Sequence, residues 1–381
     1  MGKNKRVVVI SGVNIVEGGA LSIFKDCLKE VVPLYKNEYT IIVLVSKKDI
    51  FSDLKLENDV DFLEFPKSKK SWFLRCYYEY IYFRKLSKKI RPYLWFSIHD
   101  ITPNVCADKR VVYCHNPSFS YKVSIKEAMY DKKLFLFSVF YKYLYKINIK
   151  KNNYVVVQQN WIKEEFKRIY NINNIVVAPP KVNINYDIKK NEIEKNTFFY
   201  PSFPRVFKNF EVICEAAEKL EEDGIKNFKI YLTIDGTENK YSNMILKKYG
   251  YLETIKFIGL QSREKVFEYY SMVETLIFPS KLETWGLPIT EFKNFNKLMI
   301  LADLPYAHET LGEYNKVLFF DSQSPKELAD KIRRIIFNKE NLEFENSEIE
   351  KKSEIYNNWR SLFKAILGND RKGFMYEKNR D

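Results

Sequence analysis

The sequence has no run of eighteen apolar residues, so it predicts no membrane-spanning helix. It is also poor in cysteine, since its five cysteines show no CxxC spacing and lie mostly in apolar stretches. This usage is typical of a reduced chain without disulfides, and we expect a cytoplasmic protein that is neither secreted nor anchored by a transmembrane segment. A GxGxxG fingerprint is missing as well, which argues against a dinucleotide-dependent dehydrogenase.

Acidic residues are scarce in the first half of the chain only. Residues 1–180 carry 31 Lys and Arg against 17 Asp and Glu, whereas residues 181–381 carry 32 of each. The whole excess positive charge therefore belongs to the N-terminal half, which predicts that this half meets a polyanion. Nucleic acid and an anionic membrane surface both fit that charge. A hydrophobic content of 46% excludes a disordered chain.

Short β-branched runs alternate with amphipathic stretches, which is the pattern of an α/β protein with parallel sheets and crossover helices. In the first half, strands are predicted at 7–10, 41–45, 62–65, 93–98, 111–113 and 155–157, with helices at 21–31, 72–90 and 125–145. In the second half, strands are predicted at 197–200, 229–234, 255–258, 275–278, 298–301 and 317–320, with helices at 209–222, 242–249, 263–271, 288–295 and 325–337.

This alternation predicts two doubly wound, Rossmann-like domains. We expect an N-terminal domain at 1–180, a polar linker at 181–196 and a second domain at 197–345. The segment 346–381 is expected to be helical and to pack back toward the N-terminal domain. Ligands of doubly wound sheets bind outside the carboxyl ends of the strands, so two facing domains would place one ligand in the cleft between them.

The most informative segment is 278–291, which runs from a strand end through a glycine-containing turn into a helix. Backbone N–H groups around Trp285, Gly286 and Leu287 would face a phosphate at the helix N-terminus. Glu283 and Glu291 can accept hydrogen bonds from sugar or ribose hydroxyls on either side of it. The alternative is structural, with Glu283 solvated and Glu291 favoured by the helix dipole.

The spacing Glu283-x7-Glu291 around Gly-Leu-Pro, preceded by Phe-Pro-Ser, resembles the donor site of the retaining GT-B glycosyltransferases of family 4, the group 1 glycosyl transferases. The resemblance covers almost the whole chain and is strongest in 197–322. It implies two Rossmann-like domains facing across a cleft, with the C-terminal helix crossing back. It also implies that Glu283 lies near the transferred sugar, that Glu291 holds the nucleotide ribose, and that Thr284, Trp285, Gly286 and Leu287 surround the donor.

A second turn between a strand and a helix, 200–209, carries Arg205 and Lys208. Two cations there can neutralise a diphosphate leaving group, a role that a metal ion has in other enzymes. The alternative is a basic surface turn with Asn209 as the helix N-cap. The family that this sequence resembles has an arginine about five residues before the lysine, where this sequence has Phe203. Arg205 either replaces that arginine or leaves its role unfilled.

Two further loops are donor contacts by resemblance. Gly18 and Gly19 lie at the start of the helix after the first strand, in a loop that borders the donor phosphates in similar enzymes. A simple turn is the alternative. Residues 257–262 resemble the loop that contacts the base through its backbone, with Leu260 and Gln261 as the candidate residues.

The three histidines all follow predicted strands. His115 matches the family histidine that faces the transferred sugar, and it completes the predicted catalytic group with Glu283 and Lys208. The predicted acceptor contacts are His99, Asp100 and Asn116. His308, beside Glu309, fits a structural role at a short helix equally well.

No metal cofactor is predicted. Asp59 and Asp61 spell DxD, the metal motif of the other large glycosyltransferase fold, but they precede an ordinary strand in a polar loop. The resemblance implies a metal-independent enzyme whose nucleotide sugar is a substrate.

Residues 67–91 and 134–151 interleave aromatic residues with Lys and Arg. Basic helices with aromatics suit an anionic leaflet. The alternative is that the aromatics are core and the lysines form a solvated face.

Together these features predict a retaining glycosyltransferase of hexosyltransferase type. It would move a sugar from a UDP- or GDP-linked donor to a saccharide or polyprenyl-diphosphate-linked acceptor, in the biosynthesis of a capsule or of the O-antigen of lipopolysaccharide. We expect it to be peripheral on the inner face of the cell membrane. A nucleotide-sugar 2-epimerase of the same fold remains an alternative. A basic nucleic-acid-binding protein is the other, although the sequence has no zinc spacing, RNP-type motif or helix-turn-helix signal.

Overall fold

Apolar β-branched runs form the strands of two parallel sheets, each covered by helices on both faces. The computed structural model describes residues 5–180, 192–345 and 355–368. Within these ranges the chain forms two compact units: the first holds 5–116, 140–180 and 355–368, and the second holds 117–139 and 192–345.

The sheet of the first unit has seven strands in the order β3-β2-β1-β4-β5-β6-β7. They are β1 (Arg6–Ser11), β2 (Tyr39–Val45), β3 (Asp61–Glu64), β4 (Leu94–Ser97), β5 (Lys109–Tyr113), β6 (Tyr154–Val157) and β7 (Ile175–Val177). Neighbouring strands pair in parallel. Central strands such as β4 are buried along their whole length, which explains why they are continuous apolar runs and do not alternate with polar residues.

The sheet of the second unit has six parallel strands in the order β10-β9-β8-β11-β12-β13. They are β8 (Glu194–Tyr200), β9 (Lys229–Leu232), β10 (Ile255–Phe257), β11 (Val273–Phe278), β12 (Leu298–Ala302) and β13 (Val317–Phe320). The order of the strands reverses between β8 and β11, and such a reversal is where doubly wound sheets bind their ligands.

The helices follow the strands in chain order. They are α1 (Gly18–Tyr35), α2 (Trp72–Tyr77), α3 (Phe83–Ile90), α4 (Ile125–Tyr130), α5 (Lys132–Lys146), α6 (Asn160–Tyr170), α7 (Phe210–Glu222), α8 (Lys240–Tyr249), α9 (Arg263–Met272), α10 (Leu287–Lys293), α11 (Pro305–Leu311), α12 (Pro325–Phe337) and α13 (Trp359–Gly368). Within the described ranges, none of them is both long and apolar enough to cross a membrane.

Two predicted helices are interrupted. The helix predicted at 72–90 consists of α2 and α3 joined by a π-helical turn, Tyr78–Tyr82. The helix predicted at 125–145 breaks at Asp131 into α4 and α5, because the Asp131 carboxylate accepts the backbone N–H of Leu134 at 2.9 Å and starts a new helix. Strand β7 and helix α6 were not predicted.

The C-terminal helix α13 belongs to the core of the first unit. The Phe363 ring lies 5.1 Å from the ring of Phe96 and 6.4 Å from that of Tyr35. The segment before the helix adds a parallel bridge between Ile355 and Val177 at the sheet edge.

Residues 117–139 belong to the second unit, whereas the predicted N-terminal domain of 1–180 contained them. Opposite charges and aromatic contacts hold this segment there. Arg205 pairs with Asp131 at 3.2 Å, and the Tyr130 ring lies 6.4 Å from that of Tyr241. Of the predicted linker 181–196, residues 181–191 lie outside the described residues, as do 346–354 and 369–381 of the predicted C-terminal segment.

Candidate active site

Lys208 and Glu283 meet at the point where the strand order of the second sheet reverses. Lys208 ends the 3-10 turn Val206–Lys208 that follows β8, and Glu283 lies in the loop that follows β11. The ammonium and the carboxylate form an ion pair, with 18% and 13% of their side chains exposed. Because both groups are largely withdrawn from water, their mutual attraction is stronger than that of a surface pair.

The position of Lys208 is fixed by its surroundings. Its carbonyl accepts a hydrogen bond from the Tyr200 hydroxyl at 2.9 Å. Its ammonium lies 5.4 Å from the ring centroid of Phe207 and 5.9 Å from that of Phe278, within the range of cation–π attraction. The cation is thus held at the carboxyl edge of the sheet, where an anionic ligand would arrive.

Asn209 joins three loops of this edge, and sequence reasoning missed that role. Its backbone is left-handed, with φ of 60°, and its side chain does not cap α7 as the structural alternative supposed. Its amide instead donates to the carbonyl of Pro279 at 3.2 Å and to that of Ser322 at 2.7 Å. The loops after β8, β11 and β13 are therefore tied together behind Lys208.

The turn into α10 depends on Gly286. Its φ is +76°, and a Cβ placed there would lie 3.2 Å from Cδ1 of Ile289. The Trp285 carbonyl accepts a hydrogen bond from the Thr310 hydroxyl, and the Trp285 indole N–H donates to Oγ1 of Thr290 at 3.0 Å. These contacts fix the predicted donor loop, whose residues Thr284, Trp285 and Leu287 are partly exposed.

Glu291 lies inside the second unit. It is 4% exposed, and its carboxylate accepts hydrogen bonds from Arg263 at 2.6 Å and from the Tyr270 hydroxyl at 3.1 Å. Burial raises the pKa of Glu291, while Arg263 and Tyr270 act in the opposite direction. Arg263 was not predicted as a site residue. In this structure it holds the carboxylate that the family resemblance assigns to the ribose.

Arg205 and Lys281 point toward the segment 117–139 of the same unit. Arg205 pairs with Asp131, and Lys281 lies 3.7 Å from Glu127. Beside them is a cavity of about 290 Å³ whose lining includes Lys126, Asn209, Glu211, Lys281 and Ser322. The Arg205 carbonyl accepts the backbone N–H of Lys208 at 2.9 Å, but its guanidinium pairs with Asp131, an acidic partner that the sequence did not suggest.

The predicted base-contacting loop follows β10. Leu260 is exposed, and the side-chain amide of Gln261 donates to the carbonyl of Ile258 at 2.5 Å, which closes the loop on itself. Gly259 is required there, since its φ is +67° and a Cβ would lie 2.8 Å from Oδ2 of Asp235.

In the first unit, Asp100 organises the loop that carries His115 and Asn116. Its Oδ1 accepts the backbone N–H of His115 at 2.5 Å, that of Asn116 at 3.0 Å and the Tyr145 hydroxyl at 2.8 Å. Asp100 is predicted as an acceptor contact, but in this structure its carboxylate positions the backbone.

The imidazole of His115 is partly buried. Its Nε2 lies 2.7 Å from the carbonyl of Ile98, and its ring lies 4.7 Å from that of Tyr113. Burial lowers the pKa of His115, although Asp100 opposes that shift. The neutral imidazole with its proton on Nε2 satisfies this arrangement.

His99 is predicted as an acceptor contact, but in this structure it is buried inside the first unit. It is 1% exposed, its Nδ1 lies 2.6 Å from the carbonyl of Ser11, and its Nε2 lies 2.7 Å from Oε1 of Glu79. Glu79, in the π-helical turn, is itself fully buried. Because both ring nitrogens are engaged inside the first unit, His99 is a structural residue in this arrangement.

The two glycines at the start of α1 have more space around them than Gly12, which precedes them in the chain. Gly18 and Gly19 are exposed, and a Cβ on either would meet no atom of the described residues within 4 Å. A Cβ on Gly12 would lie 2.2 Å from the Phe24 ring. Protein packing therefore requires glycine at position 12, whereas the Gly18–Gly19 pair borders open space.

The remaining candidates have local partners. His308 pairs with Asp303 at 2.7 Å and stacks on Phe319 with ring centroids 4.1 Å apart. Asp59 of the DxD sequence pairs with Lys36 at 3.0 Å, and Asp61 begins β3.

Two parallel Rossmann-like sheets of this strand order define the class: the chain is an α/β protein of GT-B fold. Solved structures share it. A glycosyltransferase from Rickettsia africae superposes with a TM-score of 0.60 at 18% identity, over 87% of this chain and 88% of that one. Anabaena HepE, solved in complex with UDP-glucose, gives a TM-score of 0.55 at 12% identity, over 88% of this chain and 90% of that one.

Sequence comparison adds a family match over part of the chain. Residues 183–352, less than half of the chain, match the model of the family described as "Glycosyl transferases group 1". The O-antigen chain mannosyltransferase RfbU of Salmonella typhimurium is 24% identical over 204 residues, which are 53% of this chain and 56% of that protein. The chain thus matches little more than half the length of this curated relative.

Proposed function

We propose that the protein is a retaining glycosyltransferase that uses a nucleotide-diphosphate sugar as donor and a saccharide or lipid-linked saccharide as acceptor. The observation that carries this proposal is the Lys208–Glu283 ion pair, held at the strand-order reversal in the part of the chain that matches the group 1 glycosyl transferase model. A fixed cation at that edge is suited to the negative charge that develops on a departing diphosphate.

The pair also suggests how the donor is received. In the protein alone, Lys208 and Glu283 neutralise one another. A diphosphate offers Lys208 a more highly charged partner, and Glu283 is then released to accept a hydrogen bond from a sugar hydroxyl. The N–H groups at the start of α10 lie along the same loop and would add donors to the phosphates.

Retention follows from front-face substitution in this proposal. The bond between the anomeric carbon and the diphosphate oxygen breaks, and the acceptor oxygen bonds to that carbon on the same face. A donor phosphate oxygen takes the acceptor proton, and Lys208 stabilises the diphosphate that leaves. In this route Glu283, released from Lys208 when the donor binds, accepts a hydrogen bond from a sugar hydroxyl and forms no covalent glycosyl-enzyme.

The relatives suggest the substrates. HepE was solved with UDP-glucose, and RfbU is named as an O-antigen chain mannosyltransferase. We propose a UDP- or GDP-linked hexose as donor and a step in surface polysaccharide assembly, of a capsule or of lipopolysaccharide, as the setting. A polyprenyl-diphosphate-linked acceptor would be met at the inner face of the cell membrane. Because Lys208 supplies the positive charge at the diphosphate, we propose that no metal ion is required.

A panel of UDP- and GDP-sugars tests this proposal, since a ligand that binds the native state raises the melting temperature. The protein is then incubated with each nucleotide sugar that stabilises it, in the presence of EDTA, with and without oligosaccharide acceptors. The products and their anomeric configuration are determined. Release of the nucleoside diphosphate with transfer to an acceptor supports a transferase. A donor altered at C2 without any acceptor would identify an epimerase instead, and stabilisation by none of the sugars would contradict both.

A further inference from the structure

Large apolar side chains are exposed on two stretches of the first unit, 72–82 and 140–147. Phe73 is 89% exposed, Tyr143 65% and Phe140 60%, although aromatic side chains of this size are usually largely buried. We call these exposed side chains the aromatic face. Its members lie on α2, on the π-helical turn, and on and just after the second half of α5: Trp72, Phe73, Tyr77, Ile81, Tyr82, Phe140, Tyr143 and Ile147.

The two parts of the aromatic face are joined. The ring of Trp72 meets that of Tyr141 edge to face, with centroids 6.4 Å apart. Tyr141 is 5% exposed and faces the interior, so its neighbours Phe140 and Tyr143 lie on the outer side of the helix. The aromatics of the two basic stretches thus divide: Phe83, Tyr141 and Tyr145 are core, whereas the aromatic face is turned to solvent.

The two stretches of sequence that carry the aromatic face are rich in positive charge. Residues 67–91 and 140–151 contain 13 Lys and Arg and one acidic residue, Glu79. Glu79 is buried against His99, so it contributes no carboxylate to the surface. The exposed lysines and arginines of these two stretches include Arg84, Lys85, Lys88, Lys89, Lys142, Lys146, Lys150 and Lys151.

We propose that the aromatic face docks the protein on an anionic lipid bilayer. Aromatic and aliphatic side chains enter the boundary between headgroups and acyl chains, while the surrounding cations meet anionic headgroups. Ile81 and Ile147 suit that apolar boundary, and they offer no ring on which a base of single-stranded nucleic acid could stack. A second copy of the chain would bring two surfaces of the same charge together.

This inference deepens the proposed function, on which it rests for its purpose, because an acceptor carried on a lipid is presented at such a surface. The proposed contacts between the aromatic face and the lipid do not depend on the chemistry of the candidate active site. Binding to vesicles and transfer to a soluble acceptor can therefore be measured separately, and either one can fail without the other.

The test is co-sedimentation of the full chain with vesicles of phosphatidylcholine alone or mixed with phosphatidylglycerol. We expect binding to the anionic vesicles that weakens with added salt. The triple variant Phe73→Ser, Phe140→Ser, Tyr143→Ser should lose affinity by at least about tenfold. Its melting temperature and its turnover on a soluble acceptor should equal those of the wild type.

The matched control is the double variant Tyr251→Ser, Phe337→Ser, which removes two exposed aromatics of the second unit. It should bind anionic vesicles as the wild type does. The proposal is overturned if the wild type ignores anionic vesicles, if it binds neutral ones equally well, or if the triple variant binds unchanged. The proposal is also overturned if the wild type and the double variant bind duplex DNA and the triple variant does not. That result would assign the face to nucleic acid.

Discussion

The ammonium of Lys208 forms an ion pair with the carboxylate of Glu283, 75 positions further along the chain. Each residue follows one of two adjacent strands, β8 and β11, and the parallel register brings their ends to the same edge of the sheet. The pair therefore depends on the topology of the second unit. In the protein without donor, the ion pair gives each of these two charges a partner, and an unpaired charge in a partly buried site would be destabilising.

Replacing either member of this pair should abolish most of the proposed transfer. Lys208→Ala removes the cation that stabilises the leaving diphosphate, and Glu283→Gln removes the negative charge beside the sugar. Loss of one preorganised electrostatic partner costs about 10²- to 10³-fold in turnover. The measurement is the initial rate of nucleoside diphosphate release in the presence of acceptor, with circular dichroism to confirm that the fold is retained.

Lys331→Ala is the matched control for this experiment. Lys331 also forms an ion pair with a glutamate, Glu345, at 2.5 Å in the second unit, and its side chain is likewise 18% exposed. Its turnover should equal that of the wild type. Equal turnover in Lys208→Ala and Lys331→Ala would show that the site has been assigned to the wrong residues.

Most strands could be predicted because buried parallel strands are unbroken apolar runs, and these stand out from the polar turns around them. Strand β7 has only three residues, Ile175–Val177, which is too short for a period to show. The breaks in the helices predicted at 72–90 and 125–145 were not predictable either, since the apolar pattern continues across the π-helical turn and past Asp131.

The candidate site was predictable residue by residue but not as a set of contacts. Lys208 and Glu283 each belong to a recognisable turn, whereas their pairing requires the strand order. Glu79 was not singled out in the sequence, and only the folded structure shows that it is the buried partner of His99. Such long-range partners leave no periodic signal in the sequence.

Alanine at Gly12 and at Gly19 should have opposite consequences. A Cβ at Gly12 would lie 2.2 Å from the buried Phe24 ring, and overpacking of this kind costs about 1–3 kcal/mol. A Cβ at Gly19 meets open space at the start of α1, so stability should be unchanged or raised by up to about 1 kcal/mol. Urea denaturation of both variants measures the difference.

Donor affinity gives the Gly19→Ala variant a second readout. If Gly19 borders the donor phosphates, as the resemblance implies, Gly19→Ala should weaken the stabilisation by a nucleotide sugar without lowering the stability of the protein alone. Undiminished donor binding by Gly19→Ala would remove this glycine from the site.

Phe363→Ala should destabilise the first unit strongly. The side chain is fully buried between α1 and the sheet, where it contacts Tyr35 and Phe96, and a large cavity left by Phe→Ala costs about 3–5 kcal/mol. Lys364→Ala, one residue further on α13 and exposed, should change stability by no more than about 0.5 kcal/mol. Equal melting temperatures for the two variants would mean that α13 does not hold the first unit together.

His115 should make the protein less stable in acid. Its Nδ1 lies 3.3 Å from the Gln158 amide nitrogen, which can donate to a neutral imidazole but repels a protonated Nδ1. Because burial lowers the pKa of His115 in the folded state, the unfolded chain binds this proton more readily. The stability that depends on neutral His115 is complete above the unfolded pKa of about 6.5, and it is lost as the pH falls through the lower folded pKa.

Melting temperatures of the wild type and of His115→Gln, measured from about pH 8 to about pH 5, test this expectation. Other groups, Asp100 among them, titrate in both proteins, so the informative quantity is the difference between the two curves. That difference should favour the wild type most at the higher pH and shrink on acidification, since glutamine takes up no proton. A difference that stays constant over the whole range would show that the imidazole of His115 accepts a proton as easily in the folded protein as in the unfolded chain.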